Sequence, residues 1–136
     1  MRLQFFLPMQ PPTVTHHDKE LRAYIKDGQP RAVLHDSPAL KDAHAKLRAY
    51  LVPYRPQVHM AGPIRLVVKW LFDKGDRHCD GEYKTTKPDT DNLQKALKDC
   101  MTELGFWKDD AQVACEICEK FWAARPGIFV QVEEIE

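Results

Sequence analysis

The sequence predicts an α+β fold, an α/β sandwich in which one mixed β-sheet carries about two helices packed on a face. Three observations predict it. LQFFLP, IRLVVKWLF and IFVQVEEI are apolar, largely β-branched or aromatic runs; SPALKDAHAKLRAYLV and residues 90 to 104 are amphipathic at helical spacing; and the elements follow in the order β, β, α, β, α, β, β. With 136 residues, the chain fits one domain, 1 to 136, since domains most often run to about 100 to 150 residues.

LQFFLP is ended by Pro8, Pro11 and Pro12, as a strand running out into a loop should be. THHDKELRAYIKDGQPRAVLHD mixes a short helical turn with Gly28 and Pro30 and then a strand-like RAVLH. Ser37 is placed to cap the first helix, Pro38 takes its first position, and Leu40, Ala43, Leu47, Tyr50 and Leu51 recur at helical spacing. Pro53 and Pro56 stop that helix, and Gly62-Pro63 turns the chain into IRLVVKWLF, read as a central strand. Residues 73 to 87 are charged, carry two glycines and show no periodicity, which predicts a mobile loop. On the second helix Leu93, Ala96, Leu97, Cys100 and Leu104 fall on one side, and Asp91, Lys95, Lys98 and Thr102 on the other. Gly105 follows as its C-cap. In QVACEICEKFWA, the residues Val113, Cys115, Ile117 and Phe121 alternate as the buried side of a strand, which RPG joins to IFVQVEEI as an antiparallel hairpin. Trp70, Trp107 and Trp122 sit in or beside strand patterns and are expected as core or interface residues rather than base-stacking platforms.

Hydrophobic content of 43% and charged content of 29% are ordinary for a soluble globular protein, and no window approaches the roughly 18 apolar residues of a membrane span. Pro8 cuts the N-terminal apolar patch short of a signal-peptide core, so a cytoplasmic location is expected, with Cys79, Cys100, Cys115 and Cys118 as free thiols. Cys115 and Cys118 have a zinc-like spacing with His78-Cys79 nearby, yet strand residues three apart face opposite sides. His16-His17, in a Pro-flanked loop, reads as a solvent-exposed pair. The 20 basic and 20 acidic residues cancel, so no global charge favours a nucleic-acid partner. Locally, Arg65 to Lys98 holds eight Lys or Arg against six Asp or Glu, whereas Glu103 to the end holds eight acids against three bases. With Asp89 and Asp91 neutralised by a metal, the first of these segments is distinctly basic.

Asp89 and Asp91 carry the chemistry. Pro88 sends the chain into the helix from an extended segment, where residues two apart point the same way, so both carboxylates can converge at the helix N-terminus. Two carboxylates that close repel, and a hard cation that keeps both ionised resolves the conflict. Oxygen ligands favour Mg²⁺ or Mn²⁺ over zinc. Asp109-Asp110 is the best local source of a further acid. Lys95, one turn beyond Asp91, suits the charge that develops at a scissile phosphate, so the parts together suit phosphodiester hydrolysis. The structural alternative stands beside this: Asp89 or Thr90 as a helix N-cap, Asp91 as a favourable first-turn charge and Lys95 as a salt-bridge partner. D-x-D spacing also occurs in nucleotide-sugar glycosyl transfer, for which this chain is short.

KPDTDNLQKALKDCMTELGFWKDDAQV, residues 87 to 113, resembles the signature of the RusA family of Holliday-junction endonucleases, small resolvases of bacteria and prophages. D-x-D-N-L-x-K, an intervening helix, G-x-W and D-D-x-Q-V stand together in order, and LQFFLPMQPPT is similar to the family's opening strand and Pro-rich loop. The resemblance implies a homodimer that recognises four-way junctions by shape and makes paired symmetric nicks with Mg²⁺, for which Mn²⁺ substitutes. It puts the metal-binding aspartates at Asp89, Asp91 and Asp110 and the catalytic lysine at Lys95; Asn92, Gln94 and Asp99 also align, without an assigned role. Where some members carry a dense arginine run before the first aspartate, this chain has Tyr83 to Pro88. DNA affinity is therefore expected to be either weaker or distributed over Lys74, Arg77, Lys84 and Lys87. A catalytically silent branched-DNA-binding protein of the same fold, and a flap or branched-DNA nuclease, are the alternatives.

Overall fold

Strict alternation in one strand organises the molecule. Along β4 (Ile64–Asp73) the side chains of Ile64, Leu66, Val68, Trp70 and Phe72 are buried, and the intervening ones lie on the opposite face. The computed structural model describes residues 1–14 and 19–136; the His16-His17 reading lies outside the described residues. β1 (Arg2–Leu7), β6 (Gly127–Glu134), β4 and β5 (Val113–Ala123) form one sheet in the order β1-β6-β4-β5, with β4 antiparallel to β6 and parallel to β5. Two helices, α1 (Pro38–Leu51) and α2 (Thr90–Glu103), supply Leu47, Leu51, Leu93, Ala96, Leu97 and Met101 to a single apolar cluster on the inner sheet face. The α+β sandwich with one mixed sheet is thus as the sequence predicts. Among the described residues no helix is long and apolar enough to cross a membrane.

Three expectations are corrected. Residues 19–36 hold no helical turn: β2 (Lys19–Lys26) and β3 (Gln29–Asp36) make a hairpin through Asp27 and Gly28, both at positive φ, and pair only with each other. Strand pairing puts Leu21, Ala23, Ile25, Pro30 and Ala32 on one face of this ribbon, where Leu21 and Ile25 are 72% and 79% exposed. β5 and β6 do not form a hairpin, because β4 lies between them. Gly127 lets β6 start there, since a Cβ on it would meet the Leu7 carbonyl oxygen at 2.8 Å and the Phe6 ring closer still.

The third correction concerns which way β5 faces. A register shift beside Ile64 and Arg65 pairs Ile64 with Val113 but Arg65 with Cys115, so Ala114 is the extra residue. One inserted residue exchanges the two sides of a strand. Glu116, Cys118, Lys120 and Trp122 therefore stand opposite the buried Leu66, Val68, Trp70 and Phe72, while Ile117 is left exposed on the outer face.

All four cysteines are free thiols. Burial pushes the Cys100 thiol up to about 12 and the Cys118 thiol up to about 11, from an ordinary value of 9.0. Both hold their protons more tightly folded than unfolded, so their contribution to stability is complete below pH 9 and is lost as pH rises through those values. Urea unfolding is expected to show stability falling between pH 9 and 11, less steeply in Cys100→Ala. Iodoacetamide at neutral pH should modify the exposed Cys79 and spare Cys100 in the native protein.

Candidate active site

Asp89 occupies the N-cap position of α2 with extended φ −75° and ψ 151°. Its carbonyl accepts from Leu93 N–H at 3.1 Å, yet its carboxylate makes no capping bond. A capping aspartate ordinarily accepts from the second or third helical N–H; here that carboxylate makes neither bond and has no hydrogen-bond partner among the described residues. Asp91 is already the second helical residue, so the two side chains do not project from one extended stretch as expected. They leave the chain on either side of the helix start.

The polar flank of α2 leans over the β5 edge of the sheet and borders an open cavity of ≈ 380 Å³. Its walls are Thr90, Asp91, Gln94, Lys95 and Lys98 from α2, Asp110 from the turn before β5, and Glu116 and Cys118 from β5. Asp91 and Lys95 from α2 and Asp110 from the turn that follows it are therefore brought to one place. Asp89 is not among the lining residues; it sits beside Thr90, which is. No group of three or more His, Cys, Asp or Glu that could hold an ion occurs among the described residues.

Asp109 and Asp110 divide their labour. Asp109 caps the 3-10 turn Asp110–Gln112, its carboxylate accepting from Ala111 N–H at 2.9 Å. Gln112 completes the lock: its Oε1 accepts from the N–H groups of Lys108 and Asp109, and its Nε2 donates to the carbonyls of Met60 and Gly62. Phe106 and Trp107 anchor the preceding segment in the core, the Trp107 indole donating to Thr102 Oγ1 at 2.7 Å. Among the described residues the Asp109 carboxylate and the Gln112 side chain are engaged in hydrogen bonds, whereas the Asp110 carboxylate has no hydrogen-bond partner and Asp110 lines the cavity.

Lys95 donates to Asp99 at 2.9 Å rather than to Asp91. That bond, the Asp99 charge and, more weakly, Asp110 hold the Lys95 ammonium above its ordinary pKa, so it is charged throughout the neutral range.

Sequence reasoning missed Glu116. Its carboxylate accepts from Gln94 Nε2 at 2.7 Å and from Lys98 Nζ at 3.1 Å. Gln94 is 5% exposed, and its orientation is forced, because the indole N–H of the buried Trp70 can only donate and does so to Gln94 Oε1 at 2.8 Å. The chain Trp70, Gln94, Glu116, Lys98 sets one wall of the cavity.

The expected DNA contacts fare differently. Arg77 and Lys87 are exposed, and Lys74 is half-buried, donating to the neighbouring Gly75 carbonyl. Lys84 is not a surface cation: it is 8% exposed, lies over the rings of Trp122 at 4.2 Å and Phe72 at 5.1 Å, and donates to Thr86 Oγ1. Burial, helped by the Lys120 charge, lowers its pKa. The segment around it is no free loop either. Lys84 N–H donates to the Lys120 carbonyl, Gly81 N–H to the Trp122 carbonyl and Trp122 N–H to the Glu82 carbonyl, which straps residues 81–84 along the end of β5.

The sequence model of the family described as Endodeoxyribonuclease RusA matches residues 9–133. The chain is 29% identical to the protein named Crossover junction endodeoxyribonuclease rusA of Lactococcus phage r1t, over 65% of this chain and 70% of the relative. It is 28% identical to the uncharacterized protein YqaN of Bacillus subtilis (strain 168), over 82% of this chain and 90% of that one.

Proposed function

Because the chain belongs to the RusA family of endodeoxyribonucleases, we propose that it resolves four-way DNA junctions by paired, symmetric, Mg²⁺-dependent phosphodiester hydrolysis, with Mn²⁺ able to substitute. The observation that carries this reading is the meeting of Asp91, Asp110 and Lys95 on one cavity. The donors fit a hard cation: they are oxygen, and Mg²⁺ is commonly held by one or two carboxylates plus water and substrate phosphate rather than by a protein cage. Asp91 and Asp110 would hold it, and the Asp89 carboxylate, which makes no capping bond, would join them from the residue before Thr90. When bound, the cation supplies Lewis acidity, polarising a phosphoryl oxygen and acidifying water. Lys95, kept charged by Asp99, neutralises the oxygen that leaves phosphorus. Arg77 and Lys87, with Lys74, remain as phosphate contacts in the segment before Asp89, so binding should weaken steeply with salt.

Two symmetric cuts need two sites, which a twofold pair of subunits provides. The apolar face of the β2–β3 ribbon supports a homodimer, since an isolated two-stranded ribbon is marginal in water and exposed apolar patches mark interfaces. A DNA substrate fits a cytoplasmic location.

The test is a substrate panel. With Mg²⁺, a synthetic four-way junction should be nicked symmetrically in preference to duplex or single strands. Junction retention in a gel without divalent-dependent cutting would replace the reading by a silent branched-DNA-binding protein, and preference for a flap by a flap nuclease.

A further inference from the structure

The inserted residue in β5 turns Lys120 toward the helix side of the sheet, yet it does not line the cavity. Its ammonium donates to two backbone carbonyls of the segment that enters α2, Thr86 at 2.7 Å and Pro88 at 2.8 Å, and its own carbonyl accepts Lys84 N–H at 3.0 Å. A lysine spent on two carbonyls gives up the phosphate contact that an exposed cation would make. The Pro88 carbonyl belongs to the peptide whose nitrogen is that of Asp89, so holding that oxygen fixes the plane from which the Asp89 side chain departs. On the other side, the Asp89 carbonyl is held by Leu93 N–H. The carbonyls of both peptides flanking Asp89 are tethered, and its carboxylate makes no capping bond.

We propose that Lys120 is a positioning residue that acts through Asp89: by clamping the Thr86 and Pro88 carbonyls to the sheet it aims the Asp89 carboxylate at the cation. The proposal rests on the reading of the site as a divalent-cation nuclease centre. It treats Lys120 as part of the support without which a ligand shell is loose, and such supports commonly govern affinity by about 10- to 100-fold.

Mn²⁺ titrated into the full chain by calorimetry tests it, with wild type, Lys120→Met, Lys120→Gln and Asp91→Asn side by side and folding checked by circular dichroism. The folded Lys120 variant is expected to bind Mn²⁺ at least about 10-fold more weakly than wild type, while retaining a four-way junction in EDTA as wild type does. A folded variant with wild-type Mn²⁺ affinity overturns the proposal. So does one that loses junction retention along with Mn²⁺, which would make Lys120 a DNA contact, and so does failure of both variants to fold, which would make it a purely structural residue. The site reading fails separately, and takes the proposal with it, when wild type shows no saturable Mn²⁺ binding or Asp91→Asn binds as wild type does.

Discussion

Asp110→Asn is expected to lower Mg²⁺-dependent junction cleavage by more than about 100-fold, beyond what outer supports of a metal site cost, whereas Asp109→Asn should leave it nearly unchanged. The two substitutions remove the same charge at adjacent positions, so the field at the DNA changes almost equally in both. What differs is the task of each carboxylate. Asp109 accepts from Ala111 N–H inside the turn, and an asparagine oxygen caps about as well as an aspartate. The Asp110 carboxylate has no hydrogen-bond partner among the described residues, and Asp110 lines the cavity shared with Asp91 and Lys95. Asp91→Asn should match Asp110→Asn, and both should retain the junction, because a lost negative charge near phosphate does not weaken binding. Initial rates on a labelled junction at saturating Mg²⁺ check all three; equal losses in Asp109→Asn and Asp110→Asn would show that net charge, not a ligand, is being measured.

The strands and helices that bury one continuous face were legible because period and burial agree: IRLVVKWLF alternates, and α2 places Leu93, Ala96, Leu97 and Cys100 along one stripe. D-x-D-N-L-x-K and D-D-x-Q-V were legible as spacing, but not the reason for their glutamine, which is to pin a turn through Met60 and Gly62, carbonyls about fifty residues away in sequence. β5 was read inside out. Alternation from Val113 puts Cys115, Ile117 and Phe121 inward, and a single extra residue opposite Ile64 and Arg65 reverses that. Nothing local marks the insertion, since its cause is pairing with a strand some fifty residues earlier. Glu116 and Lys120, placed on the solvent side by that alternation, are for the same reason the polar residues that sequence reasoning could not bring to the site. Lys84 was read as an exposed cation, and its burial depends on Phe72 and Trp122, which only the assembled sheet brings to its ammonium. The β2–β3 ribbon was hidden for the opposite reason: Leu21, Ile25 and Val33 are exposed, so no burial reinforces the strand pattern there.

Trp70→Ala is expected to remove about 3 to 5 kcal/mol of stability, the cost of emptying the site of a fully buried large aromatic side chain. Against a typical total of about 5 to 15 kcal/mol, that leaves the fold marginal, and the urea midpoint should fall accordingly. Trp70 is at the centre of β4 with no exposed surface, so little neighbouring structure can collapse into the space. Trp70→Phe separates volume from hydrogen bonding. It keeps most of the ring but deletes the indole N–H, leaving the Gln94 oxygen without a donor inside the core, a loss of about 1 to 3 kcal/mol. The Phe variant also frees the Gln94 amide to turn over, which would set its oxygen against the Glu116 carboxylate. Two acceptors cannot share that 2.7 Å contact, so Glu116 must swing toward Lys98 or into the cavity. Trp70→Phe should therefore lower cleavage at temperatures where it is still fully folded, and Gln94→Glu, which offers no donor to Glu116 at neutral pH, should lower it further. Cleavage unaffected in both would mean that the wall carrying Glu116 supports the fold alone.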